Sequence, residues 1–414
     1  MSNAFERLEV HDWRQFEVVN IEFHPHLTVI TGANGAGKTT LLNLLGRHFG
    51  WDVALVATSQ ATKKGVLRYF SGLGKSWKRT EDGETANLQH LIGNIRYTNG
   101  SEATIGVNEQ VSESFQVNLA NQQPVEGVFL PSHRPVYSYQ RVTQIPATLD
   151  TREQLFSQFY SNLRGMYQPG PRYESPSYRL KSSLISLAVF GYGNQAVDPN
   201  AEAVSTFEGF EKILKTILPS RLGFRRLIIR MPEVVLECDS GEFSLDAASG
   251  GVAALIDIAW QLYMKSLVTP EFVAVIDEPE NHLHPEMQRA IMPGLLEAFP
   301  KLQFIVATHN PFVVTSVEDS TVVVLDYQEN RVVSHRIVEV DRAASANQVL
   351  TDVLGLQAPI PLWVQRRLDE IVSQFADREL TALALTELRS QMGDIGLGRM
   401  FPQVINRLVE GSIE

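Results

Sequence analysis

The 414-residue sequence predicts an α/β fold: a mostly parallel core sheet, an antiparallel β-subdomain beside it, and a helical insertion between two parts of the core. Three observations carry that expectation. An apolar run at 27–30 enters a glycine-rich turn and then an apolar helical stretch. A second apolar run, 272–276, ends in acids and is followed by a helical pattern and a third run at 303–307. Residues 150–220 repeat their apolar positions at helical spacing. With 44% apolar residues the chain has material for a large core, and its length suits two or three domains. The expected divisions are an N-terminal lobe at 1–149, a short helical insertion at 150–220, a C-terminal lobe at 221–340 and a helical tail at 341–414.

Composition narrows the function classes. Thirty-six basic against forty-seven acidic residues give a net charge of -11 and a pI near 5.5, so any contact with DNA has to be local. The single cysteine, Cys238, excludes an intramolecular disulfide and a multi-cysteine metal knuckle. No apolar run is read as approaching a membrane span, and the N-terminus has no signal-peptide pattern. A cytoplasmic protein without membrane contact is expected.

From the N-terminus, residues 5–31 and 92–130 alternate apolar and polar positions, with Asn99-Gly100 as a hairpin turn, which predicts the antiparallel part. Directly after the first stretch, Gly32-Ala-Asn-Gly-Ala-Gly-Lys-Thr39 matches G-x-x-x-x-G-K-[ST], with a strand before it and a helix after it. Glycines let the backbone close round an anion, and the following helix terminus adds partial positive charge. Gly32, Asn34, Gly35, Ala36, Gly37, Lys38, Thr39 and Thr40 are the candidate ATP cradle. Lys38 is expected at the β- and γ-phosphates, and Thr39 at Mg2+ through its hydroxyl. Residues 60–88, with Lys63, Lys64, Lys75, Lys78 and Arg79 among glycines, read as a basic insertion.

In the insertion, Leu155, Phe156, Phe159 and Leu163 share one helical face, as do Phe207, Phe210, Ile213, Leu214 and Ile217. Arg221, Arg225, Arg226 and Arg230 follow. Such a cluster either contacts phosphates or lines the outer face of a strand. Ser249-Gly250-Gly251 then opens an apolar helix, with Ser249 placed as N-cap and the two glycines exposing backbone N–H groups. One ATP cannot readily use this terminus and the glycine-rich loop of the same chain. The economical reading is that Ser249, Gly250 and Gly251 meet the γ-phosphate held by a second copy.

The stretch AVIDEPENHLHPE at 274–286 packs four carboxylates and two histidines into thirteen positions. Its apolar start reads as a buried parallel strand that delivers Asp277 to its carboxyl end, where a carboxylate orients magnesium. Glu278 beside it is the candidate general base. His282 and His284 invite a metal reading, which weakens because no third histidine is near. His309, in Thr308-His-Asn-Pro311 after the next strand, is placed to sense the γ-phosphate. The candidate catalytic set is Lys38, Glu278 and His309, with Thr39 and Asp277 at the metal.

GANGAGKTT, SGG, VIDEPENHLHP and ATHNPF together resemble the ABC-type ATPase heads of the RecF, SMC and OLD (overcoming lysogenization defect) proteins, particularly OLD-like AAA ATPases. The resemblance implies a P-loop NTPase of the ABC-ATPase head type that closes as a homodimer around ATP and hydrolyses it. It also implies control of DNA or of a separately encoded effector such as a nuclease, in anti-phage defence or DNA repair, with higher oligomers within its range. Arg14 corresponds to an N-terminal arginine that relatives place near the nucleotide. The segment VFLPSHRP at 128–135 stands where relatives have a glutamine loop and contains no glutamine, which leaves Ser132, His133 and Gln140 as substitutes. The coiled-coil arm of SMC-like relatives is reduced to short helices, and the tail is too short for a fused TOPRIM-type nuclease. Two alternatives stand beside this reading: an ATP-binding switch scaffold with little turnover, and a transporter subunit, against which the separation of Lys38 and Ser249 by more than 200 positions argues.

Overall fold

The computed structural model describes residues 3–61, 65–73, 89–134, 139–145, 148–167 and 174–337, and beyond them 370–371, 373–375, 381–394, 401 and 405. The basic insertion proposed around Lys63, Lys64, Lys75, Lys78 and Arg79, and most of the tail, lie outside the described residues. Residues 1–355 form one compact unit and 356–414 a second, of which helix Ala382–Asp394 is described.

Eleven strands build one sheet. Its parallel half runs in the order Thr321–Gln328, Leu27–Gly32, Gln303–Ala307, Val273–Asp277 and Gly127–Leu130, all pairs parallel. Three of these strands, Leu27–Gly32, Val273–Asp277 and Gln303–Ala307, are buried along their whole length. Their continuous apolar runs follow from being covered on both faces. Registers place Asp277 beside Ala307, Ala307 beside Ile30, and Leu130 beside Ile276. The carboxyl ends therefore open along one edge, where ligands of open α/β sheets bind.

The antiparallel half is continuous with this core. Strands Asn118–Ala120, Glu102–Asn108, Gln89–Tyr97, Phe5–Trp13 and Phe16–Glu22 pair antiparallel, and Phe16–Glu22 joins Arg331–Arg336. Arg331–Arg336 in turn is the hairpin partner of Thr321–Gln328. The subdomain expected beside the core is thus the same sheet extended, and the strand at 27–32 belongs to the parallel half.

Three helices, Arg152–Met166, Pro176–Tyr192 and Ala201–Ile217, form the insertion. Each begins on a side-chain cap: Thr151 with a reciprocal bond to Gln154, Ser175 before Pro176, and Asn200. Phe159 and Phe210 meet the edge of Trp260 at 6.5 and 4.9 Å between ring centroids. That contact seats the insertion on helix Gly250–Val268. This helix is long and apolar enough to cross a membrane by length and composition, contrary to expectation, but 78% of its apolar window is buried inside the fold. A separate three-stranded sheet, Phe224–Arg230, Glu233–Cys238 and Gly241–Ser244, precedes it. The sequence reading did not separate this sheet from the core. Its arginines are paired: Arg225 with Asp239, Arg226 with Glu237 and Arg230 with Glu242, while Arg221 reaches Glu286. Ion pairing across the strands supports the outer-face reading of the cluster.

Beneath the P-loop helix, His48 donates or accepts at two fixed partners, Leu45 O at 3.1 Å and Tyr97 Oη at 2.8 Å, with Phe5 edge-on at 4.9 Å. Nδ1–H donating to the carbonyl and Nε2 accepting from Tyr97 satisfies both atoms in the neutral ring. Burial pushes the His48 pKa down to about 4. A histidine whose folded pKa lies below its unfolded value stabilises the fold above about 6.5, and that contribution is lost as pH falls from about 6.5 to 4. His48→Gln is expected to remove about 3 kcal/mol of the acid-side decline. Urea titrations of both proteins at pH 7 and pH 4.5 check it. Equal pH dependence in the two would count against the buried neutral ring.

Candidate functional site

The glycine-rich loop leaves strand Leu27–Gly32 and enters helix Lys38–Gly46. Two positions allow nothing but glycine. Gly37 has φ of 98°, and a Cβ there would lie 2.4 Å from both Gln15 Nε2 and Phe16 Cζ; one at Gly32 would lie 2.3 Å from Leu325 O. No side chain caps the helix, so its first N–H groups, at Lys38, Thr39 and Thr40, face the loop without intrahelical acceptors. Ala36 is buried, whereas Asn34 and Gly35 stand on the exposed rim. Lys38 folds over the loop and donates to Gly32 O at 2.8 Å and Ala33 O at 3.1 Å. Burial lowers its pKa, and Glu278, Asp277 and Glu280 oppose that shift. An ammonium held by two carbonyls among carboxylates is positioned to exchange them for phosphate oxygens.

Across the edge, Thr39 donates its hydroxyl to Asp277 Oδ2 at 2.8 Å. Burial raises the Asp277 carboxyl pKa, with the Thr39 bond opposing and Glu278 adding to the rise. A hydroxyl and a buried carboxylate converging from two elements form the hard oxygen pair that a small divalent cation such as Mg2+ takes, so the residues fit that ion. Glu278 follows at φ of 47°, its N–H bound to Ala307 O at 2.8 Å. Both its carboxylate oxygens are held, Oε1 by His309 Nδ1 at 3.0 Å and Oε2 by Asn281 Nδ2 at 2.8 Å. His309 itself is half exposed. Its neighbours are locked: Thr308 donates to the buried Glu280, and Asn310 caps the short helix Pro311–Val314 and reaches Gln288 at 2.8 Å. The structure therefore brings Lys38, Thr39, Asp277, Glu278 and His309 to one edge.

The histidine pair separates. His284 is the N-cap of helix Pro285–Ala298, its Nδ1 accepting from Glu286 N–H, and His282 lies at φ of 70° in the preceding turn. Among the described residues no three His, Cys, Asp or Glu side chains are grouped to hold a metal. At the start of helix Gly250–Val268, Ser249 and Gly250 are exposed, and among the described residues a Cβ at Gly250 would meet nothing within 4 Å. Ser249 occupies the N-cap position, but its hydroxyl makes no capping bond, in contrast to the expected role. A Cβ at Gly251 would lie 3.1 Å from His282 O.

Arg14 lies next to Gln15, which reaches Gly35 O at 3.4 Å. Its guanidinium, however, donates to Val56 O at 2.7 Å and covers the rings of Trp13 and Phe115. Ser132 and His133 leave strand Gly127–Leu130 at the same carboxyl edge as Asp277, and Ser132 O accepts from Asn281. Gln140 instead accepts from Ser175 at the start of an insertion helix. Sequence reasoning missed Gln15 and Asn281. Asn281 stands three residues after Glu278, a spacing that returns its amide to that carboxylate, and this was the one available signal.

An AAA-domain family model matches residues 7–126, and a second, described as "AAA domain, putative AbiEii toxin, Type IV TA system", matches residues 237–315. The chain is 35% identical over 95 residues to "Retron Vc95 probable ATPase" of Vibrio cholerae serotype O1 biovar El Tor, a stretch covering 22% of this chain and 18% of that protein. It is 20% identical over 365 residues to Septu protein PtuA of Bacillus thuringiensis, covering 84% of this chain and 83% of that protein. It is 29% identical over 128 residues to the DNA replication and repair protein RecF of Stenotrophomonas maltophilia (strain R551-3), covering 24% and 34%. The matched stretch is thus less than a quarter of the Vibrio protein's length. Both model matches fall on the two halves of the edge described above, the P-loop side and the Asp277–His309 side. The chain thus carries two AAA-domain matches and is similar, over part of its length or at low identity, to a retron ATPase, a Septu protein and RecF.

Proposed function

We propose that the chain binds ATP at the P-loop, hydrolyses it with Mg2+, and closes as a head-to-head homodimer with ATP between the copies. The observation that carries this reading is the convergence of Lys38, Thr39, Asp277, Glu278 and His309 on one carboxyl edge. Lys38 gives up its loop carbonyls to the β- and γ-phosphates, assisted by backbone N–H groups from Gly32 to Thr40. Mg2+, held by Thr39 and Asp277, would neutralise charge on the phosphates. Glu278 takes a proton from water as the water oxygen bonds to the γ-phosphorus and the bond to the β-bridging oxygen breaks, which leaves ADP and phosphate. His309 and Asn281 aim the Glu278 carboxylate. Arg14 flanks the cradle through Gln15.

Ser249 and Gly250 are exposed, and among the described residues nothing lies within 4 Å of a Cβ placed at Gly250. We assign Ser249, Gly250 and Gly251 to the γ-phosphate of the second copy, so that ATP and not ADP favours the dimer. The relatives' names place them in retron, Septu and repair systems, and the present chain is proposed to gate a separately encoded effector, with a nuclease as the candidate, or DNA, in the cytoplasm. The divisions 1–149, 150–220, 221–340 and 341–414 belong to the same proposal. Light scattering of the full chain with Mg2+ and ATP, or with ADP, tests it together with phosphate release. Ser249→Arg is expected to weaken ATP-dependent dimerisation at least roughly tenfold by placing a bulky side chain on the open terminus, with ATP affinity of the single copy retained. A dimer unaffected by that change would overturn the assignment of Ser249.

A further inference from the structure

Arg134 follows Ser132 and His133 at the carboxyl edge and is absent from every role assigned above. Its guanidinium reaches three consecutive backbone carbonyls of the catalytic turn: Glu278 O at 3.1 Å, and Asp277 O and Pro279 O at 3.5 Å. The Glu278 carbonyl also accepts from Asn281 N–H at 3.2 Å. Those carbonyls belong to the turn that holds Glu278 at φ of 47°, a conformation that a non-glycine residue keeps only where its surroundings over-determine it. A planar guanidinium can serve several acceptors at once, which an ammonium cannot do in the same geometry.

The arginine is itself fixed from two sides. Tyr167, at the end of the first insertion helix, donates its hydroxyl to His133 O, the residue before Arg134. Tyr160 of the same helix accepts at its hydroxyl from Phe129 N–H at 2.9 Å and Trp51 Nε1–H at 2.6 Å, which ties the strand leading to Arg134 to the insertion. Asp257, buried on helix Gly250–Val268, favours the Arg134 charge electrostatically and carries an oxygen with no hydrogen-bond partner among the described residues. Burial pushes the Asp257 carboxyl up to about 6, with Arg134 opposing. Arg134 Nε is likewise shut off from solvent and unpartnered. The helix that bears Asp257 begins at Gly250 and Gly251, the terminus assigned to the second copy's ATP.

We propose that Arg134 is a positioning residue: its guanidinium sets the backbone turn that aims Glu278, and links that turn to the helix opened by Ser249-Gly250-Gly251. This rests on the hydrolytic reading of Glu278. Steady-state ATPase measurements on full-length Arg134→Met and Arg134→Lys, with ATP affinity and thermal unfolding measured on each, test it. A turn displaced by less than an ångström loses less than the ~10² cost of a full misplacement, so Arg134→Met is expected to lower kcat roughly 10- to 50-fold. KM and ATP affinity should stay near wild type. Arg134→Lys should recover part of kcat, and it decides the matter if the methionine variant does not fold: a lowered kcat at unchanged ATP affinity supports the proposal. A wild-type kcat in the lysine variant, or losses of kcat that only follow losses of ATP affinity or of folded protein, would overturn it. A wild-type chain that binds ATP without releasing phosphate would instead sink the hydrolytic reading, and the role of Arg134 with it.

Discussion

Glu278→Gln is expected to lower ATP turnover on the order of 10²- to 10⁴-fold while ATP binding persists. The carboxamide matches the carboxylate in shape, so the turn at φ of 47° and its N–H bond to Ala307 O are undisturbed. One amide oxygen can still accept from Asn281, and the amide nitrogen can donate to a neutral His309 ring in place of the contact now made at 3.0 Å. What disappears is the capacity to take a proton from water. With hydrolysis blocked and the γ-phosphate retained, the ATP-bound dimer should accumulate, because the contacts that favour it are no longer removed. Phosphate release and light scattering in the presence of ATP read the two consequences separately. Hydrolysis at the wild-type rate would refute the role of Glu278; lost turnover without a longer-lived dimer would refute the sandwich while leaving the base in place.

How much of this was legible in the sequence follows from how local each feature is. The P-loop is legible because its conformation is written in adjacent residues: Gly32 and Gly37 sit where no Cβ fits, and the strand and helix flank them directly. Asp277 and Glu278 are legible for a similar reason, since a buried parallel strand must end where its apolar run ends. The same locality misled at Ser249, whose position is an N-cap but whose hydroxyl makes no capping bond. His282 and His284 read as a pair in sequence, yet a cap bond and a turn of opposite hand part them.

Features set by distant partners were not legible. Gln15 reaches the P-loop only because Phe16–Glu22 is joined through Arg331–Arg336 and Thr321–Gln328 to the P-loop strand, a pairing made over some three hundred residues. Arg134 acts on a turn more than a hundred positions away. The arginines at 225, 226 and 230 left two readings open, phosphate contact or the outer face of a strand, because their carboxylate partners lie in a sheet that the periodicity did not reveal. Charge patterns along a chain cannot show which charges face each other once strands pair.

Lys38→Ala is expected to weaken ATP binding ~10²-fold, which corresponds to about 3 kcal/mol. The ammonium is buried and reaches into the loop, held at 2.8 and 3.1 Å by the carbonyls of Gly32 and Ala33. Bound phosphate has to be worth more to it than those two carbonyls, and charge-assisted bonds to phosphate oxygens are about twice as strong as neutral ones. Removing the side chain takes that exchange away. It also leaves Asp277 without an opposing charge, which should raise its carboxyl pKa further in a buried setting. Turnover should therefore fall with affinity, in contrast to Glu278→Gln, where affinity is kept. Titration with a fluorescent ATP analogue and Mg2+, beside a thermal melt to confirm folding, measures the effect. ATP affinity equal to wild type in a folded Lys38→Ala chain would contradict the P-loop as the nucleotide cradle.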